Sequence, residues 1–173
     1  MPTISKFQRG VQMIDLSKAE GPSDATVVGV PLPKGTIGIV FGQRTADYAQ
    51  RYNTYIVDDD SIVREPQVVW DALTENSRFE ITKIVPSSYK PPITDPNVMS
   101  VGPFEEDLHI AVHLSHKGPN DTEYKESIPQ HDYHDFLIGG KNAISFTMIN
   151  GEDGADKDNH DTVVGVAVVY TTK

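Results

Sequence analysis

Apolar residues recur along this chain in short bursts separated by polar or proline-rich stretches, which is the spacing of strands and not of amphipathic helices. Residues 26–30 are β-branched and apolar, and Pro31-Leu32-Pro33-Lys34-Gly35 reads as a turn behind them. Residues 36–41 (TIGIVF) alternate around Gly38, which suits a strand that another backbone approaches closely. Residues 45–51 have room for one helical turn, and 53–57 predict a strand stopped by Asp58-Asp59-Asp60. Residues 67–73 open either a strand or a short helix. The clearest alternation is RFEITKIV (78–85), with Phe79, Ile81, Lys83 and Val85 on one face and Glu80, Thr82 and Ile84 on the other.

The next stretch, 86–104, carries Pro86, Pro91, Pro92, Pro96 and Pro103. Proline cannot donate to a sheet ladder, so this segment predicts an extended connector along the surface. Residues 108–114 (LHIAVHL) predict a strand, 115–133 a polar loop, and 136–138 and 143–149 two strands around a Gly139-Gly140 turn. A near-continuous apolar run at 162–171 predicts a strand covered on both faces, reached through a hairpin loop at 150–161. Eight or nine short strands with at most two short helices predict a mainly β fold: a single antiparallel β-sandwich, jelly roll or compact barrel. Residues 1–24 read as an N-terminal arm and 25–173 as one β-rich domain crossed by the connector at 86–104.

Composition narrows the classes. The 173 residues suffice for one buried core, with 38% hydrophobic and 23% charged residues. No cysteine is present, which excludes disulfides and thiolate metal sites. The net charge of −10 is uneven: residues 1–86 hold 11 acids and 9 bases, and residues 87–173 hold 14 acids and 6 bases. Single, scattered bases on an acidic chain predict no nucleic-acid partner. No run resembles a signal peptide or a membrane span, so a cytoplasmic or virion-assembled location is expected.

The histidines are the first candidates for chemistry. His109 and His113 share one strand face four residues apart, about 13 Å in extended chain, too far for one metal. His116 lies just beyond. His131 and His134 flank Asp132 and Asp135 in HDYHD, a metal-ligating set only if that segment is helical. These read as solvated or hydrogen-bonded histidines. Asp153, Asp156, Asp158 and Asp161 offer hard oxygens suited to calcium, yet no register fits an EF-hand, and 150–161 reads as a solvated tip. No nucleophile elbow, Walker loop or dinucleotide fingerprint is present. Trp70 and the tyrosines read as core or interface anchors. The expectation is a protein without catalytic, cofactor-binding or metal residues.

One resemblance runs through Ile14-Asp15-Leu16, Pro33-Lys34-Gly35-Thr36, Gly42-Gln43-Arg44-Thr45, Ile56-Val57-Asp58-Asp59-Asp60 and Phe79-Glu80-Ile81. Their order over residues 12–85 resembles that of the trimeric dUTPases. The resemblance implies a phosphate contact at Arg44 and a water-activating base at Asp58. Ser61 stands where that family has its tyrosine, and the glycine-rich C-terminal phosphate motif is absent. No hydrolysis of dUTP is therefore expected.

The sequence reading favours a non-enzymatic structural or assembly protein, a virion component such as a capsid-decorating, tail or matrix-type subunit. It would act through self-association and contacts with other assembly proteins. The alternative is a dUTPase-like nucleotide binder or a metal-dependent β-barrel enzyme.

Overall fold

The structure is a computed structural model that describes residues 12–15, 26–60, 63–72, 74, 76–91, 95–152 and 161–170. Among these, strands alone make the architecture. They are β1 (Gln12–Asp15), β2 (Thr26–Leu32), β3 (Ile37–Arg44), β4 (Ala49–Val57), β5 (Val63–Ala72) and β6 (Glu80–Val85). After them come β7 (Met99–Val101), β8 (Leu108–Lys117), β9 (Lys125–Glu126), β10 (Ile128–Ile138), β11 (Lys141–Glu152) and β12 (Thr162–Val169). One sheet runs β1-β2-β8-β4-β5-β6, with β9 added on β8; the other runs β10-β11-β12-β3-β7. Every pairing is antiparallel. The fold is a β-sandwich of two open sheets.

The core lies between the sheets. From the five-stranded side it receives Val40, Ile149, Val164, Val166 and Val168, and from the other Val28, Val30, Tyr52, Trp70, Ile110 and Val112. Period-two alternation sends these side chains inward. Trp70 is the pivot: its ring lies 5.0 Å from that of Tyr52, and its Nε1 donates to Thr54 Oγ1 at 3.2 Å. The Tyr52 ring meets Phe79 edge-on at 4.7 Å. Gly38 lets β3 approach closely, though side chains and not backbone fill the space: a Cβ there would sit 2.5 Å from Ile110 Cδ1.

Several local expectations change. Residues 45–48 form no helical turn, because the buried Arg44 guanidinium takes the carbonyls of Ala46 and Ala72 at 2.7 and 3.0 Å and that of Asp47. The six apolar residues of β12 alternate: Val164, Val166 and Val168 are sealed, while Val163, Ala167 and Val169 are only half-buried, so one face is less covered than expected. The proline-rich connector contains β7, whose three residues are buried beside Gly38–Val40. Met99–Val101 falls between Pro96 and Pro103, and so keeps the N–H groups a ladder needs. The polar stretch through His131–Asp135 belongs to β10, an edge strand exposed along nearly its whole length. With both faces wet, it carries no hydrophobic alternation to reveal it. Of residues 1–24, read as an arm, Gln12–Asp15 form the edge strand β1; the others lie outside the described residues.

Candidate functional site

The outward face of the five-stranded sheet carries the groove with the most convergent chemistry. Phe41 of β3 pairs directly with Gly165 of β12, while Phe146 of β11 pairs with Ala167, two residues along the same outward face, so the two rings converge over Gly165. Their ring centroids are 6.3 Å apart and tilted by 31°. A Cβ on residue 165 would lie 2.8 Å from Phe41 Cζ and 3.1 Å from Phe146 Cζ. Glycine at this point is what lets both rings lie down against the sheet. Met148 and Val163 extend the apolar floor, and the groove holds about 320 Å³.

The polar rim comes from distant parts of the chain. Gln43 projects from β3, and Arg78 sits beside it through an isolated antiparallel bridge between the two residues. That bridge is continued by Arg44 N–H to Ser77 O at 2.9 Å and Phe79 N–H to Gly42 O at 3.0 Å. Buried Phe79 anchors the segment, so Arg78 must face out. Asn97 is fixed in a turn: its N–H donates to Asp95 Oδ1 at 2.7 Å and its Nδ2 donates to Phe79 O at 3.0 Å. Among the described residues, the exposed Arg78 guanidinium and Gln43 amide have no hydrogen-bond or ion-pair partner. An apolar, partly aromatic floor with a few polar groups at its rim is the make-up of a small-molecule site, and ~300–1,000 Å³ is its usual size.

A second cluster lies at the end of the sandwich where β11 runs into β12. The Asp161 N–H donates to Gly151 O at 3.2 Å, and the Thr45 N–H donates to Asp161 O at 3.1 Å. Residues 153–160, which include Asp153, Asp156 and Asp158, lie outside the described residues. Next to Asp161 in the chain, Thr162 Oγ1 donates to Gln50 Oε1 at 2.8 Å. Half-buried His116 is close by, its Nδ1 2.9 Å from Ser127 Oγ. Burial holds its pKa below the ordinary histidine value, helped by Lys125 and opposed by Asp121 and Asp161.

The remaining sequence candidates are dispersed. His109 and His113 are buried in β8, not solvated, and His113 Nε2 is 2.9 Å from Glu126 Oε1. His131 and His134 stand on opposite faces of β10, because that segment is a strand and not a helical turn. Arg44 is buried on backbone carbonyls, and Asp58 accepts from Arg64 at 3.0 Å. Ser61 lies outside the described residues. Trp70 is a core anchor. Phe41, Gln43, Arg78, Asn97 and Phe146 were not singled out by sequence reasoning. The signal that could have pointed to two of them is the outward phase of Phe41 and Phe146 in otherwise clear strands.

No family model and no curated protein matches the chain. Among solved structures it is similar to a lectin of Chromobacterium violaceum in complex with alpha-methyl-fucoside, at 13% identity and a TM-score of 0.47, over 82% of this chain and 93% of that one. It is also similar to a high-affinity mannose-binding lectin of Ralstonia solanacearum, at 15% identity and a TM-score of 0.46, over 82% and 93% of the two chains. A third is the C-terminal domain of a Burkholderia cenocepacia lectin, at 18% identity and a TM-score of 0.46, over 79% and 90%. All three are lectins and none is a capsid, tail or matrix subunit, so the expected structural virion component is corrected to the extent that none of these similar structures is of that class. The groove residues lie far apart in sequence and meet only on the sheet face, so dispersed polar residues do not by themselves mark an inert subunit.

Proposed function

We infer that the protein is a non-catalytic carbohydrate-binding module that holds a short glycan in the groove on its five-stranded sheet. One observation carries this reading: two outward phenylalanine rings lie beside the unpartnered Gln43 amide and Arg78 guanidinium. A pyranose has an apolar C–H face and a rim of hydroxyls. The ring pair offers the first a flat apolar bed, and the amide and guanidinium offer the second directional donors. Such a site needs no proton transfer or nucleophile. Isothermal titration with methyl glycosides of fucose, mannose, galactose and glucose tests it, because Phe146→Ala and Arg78→Ala should each abolish measurable binding while the fold persists.

A second reading places the sugar at the acidic end of the sandwich. Gly151 and Asp161 are joined by a backbone hydrogen bond, and the sequence between them carries Glu152, Asp153, Asp156 and Asp158 with Lys157 as its one base. Carboxylates at this density along the sequence suit a divalent cation such as calcium, which also accepts sugar hydroxyls as ligands. Repeating the titration with a chelator separates the readings. Groove binding survives chelation, whereas cation-supported binding disappears and returns with added calcium.

A further inference from the structure

We propose that β10 is a two-fold self-pairing edge through which two copies of this chain join their five-stranded sheets into one continuous sheet. The argument does not rest on the sugar-binding reading. Among the described residues, β10 pairs with β11 on one side and with no strand on the other. The Gly151 carbonyl accepts from Asp161, so the Gly151 backbone is turned toward β12 and away from β10. Its partner across the ladder is Pro129, whose backbone therefore faces the free edge. The register is unbroken from Ile128 to Phe136, so His131, Tyr133 and Asp135 turn their N–H and C=O groups outward in the same phase. Pro129 has no N–H to offer, which restricts new pairing to the centre of the strand.

The side chains then select a register. An antiparallel pair between identical strands must oppose outward-facing residues with outward-facing residues, so its axis passes through a residue of β10. With the axis at Tyr133, His131 opposes Asp135 of the second copy and Asp132 opposes His134, each pair occurring twice on its own face of the sheet. The same register places Ile128 against Ile138, the two most exposed large apolar side chains among the described residues at 70% and 77%. An axis at Asp132 sets carboxylate against carboxylate, and one at His134 sets imidazole against imidazole. One register thus sets an imidazole donor against a carboxylate acceptor at all four positions, whereas its neighbours set like side chains against each other. Asp135 accepts from Tyr133 Oη at 2.5 Å and from Ser145 Oγ at 2.7 Å, both on Oδ1, which fixes the carboxylate for the incoming histidine.

Pairing would unite the two outward faces, so a dimer would present two grooves on one surface and bind multivalent glycans with avidity. Sedimentation equilibrium of the full chain over a concentration series tests the proposal. The wild type should dimerise. Tyr133→Pro, which removes an outward N–H at the axis, and Asp132→Lys, which takes away the carboxylate acceptor facing His134, should each weaken the dimer by about tenfold or more. The exchange of Asp132→His together with His134→Asp keeps every opposite pair and should preserve the dimer. Circular dichroism monitors the fold of each variant. A wild-type monomer at all concentrations, or a dimer indifferent to both Asp132→Lys and Tyr133→Pro, would overturn the proposal. Glycan affinity per chain in Tyr133→Pro should equal that of the wild type, so loss of pairing and loss of the groove are read separately.

Discussion

A Cβ placed on Gly165 would lie 2.8 Å from the Cζ of Phe41, so the absence of a side chain on β12 sets the depth of the groove. The atoms it would meet are the far ends of two rings, which can swing outward. Gly165→Ala should therefore cost only about 1 kcal/mol of stability. It should nevertheless reduce glycan affinity by about tenfold, because the tilted rings no longer form a bed. Thermal melts and titration of one sample check both parts.

Trp70 should be the costliest single position in the core. It is fully buried, stacked on Tyr52 and hydrogen-bonded to Thr54. Trp70→Ala leaves a large cavity and an unpaired hydroxyl, for a loss of about 3–5 kcal/mol, a large part of a small domain's stability. Urea unfolding followed by far-ultraviolet circular dichroism measures it.

His116 gives the stability a pH dependence of known sign. Its folded pKa is depressed, chiefly by burial, so the native state binds fewer protons than the unfolded chain below the ordinary histidine value. The contribution is fully present above about pH 6.5 and is lost as pH falls from there. His116→Gln should flatten that part of the slope between about pH 5 and 7. Denaturation midpoints across this window provide the check.

Tyr133 should titrate late. Burial and its hydrogen bond to the Asp135 carboxylate push the phenol up to about 12. A raised pKa favours the neutral form in the fold, so this contribution is present below about pH 10 and lost as pH rises through 12. Asp135→Asn should shift the phenolate absorbance transition of Tyr133 to lower pH.

The sandwich was legible wherever a strand has one wet and one dry face. Residues 36–41 and 143–149 announce β3 and β11 because Val40 and Ile149 mark the buried phase, while 108–114 and 162–171 announce β8 and β12 by their dense apolar runs. Elsewhere the pattern carries no such mark. β10 is wet on both faces, and β7 is a three-residue strand hidden between prolines. The groove was less legible still, since Gln43, Arg78 and Asn97 meet only through the β3–Phe79 ladder and the turn at Asp95. Such proximity follows from non-local pairing, which no local motif records.

The most direct test of the sugar-binding account is an amide chemical-shift map recorded while the isotopically labelled protein is titrated with methyl α-mannoside and methyl α-fucoside. The account predicts saturable shifts concentrated at Phe41, Gln43, Arg78, Asn97, Phe146 and Gly165. A spectrum unchanged by every glycoside would contradict it, and so would shifts confined to the Gly151–Asp161 end of the sandwich.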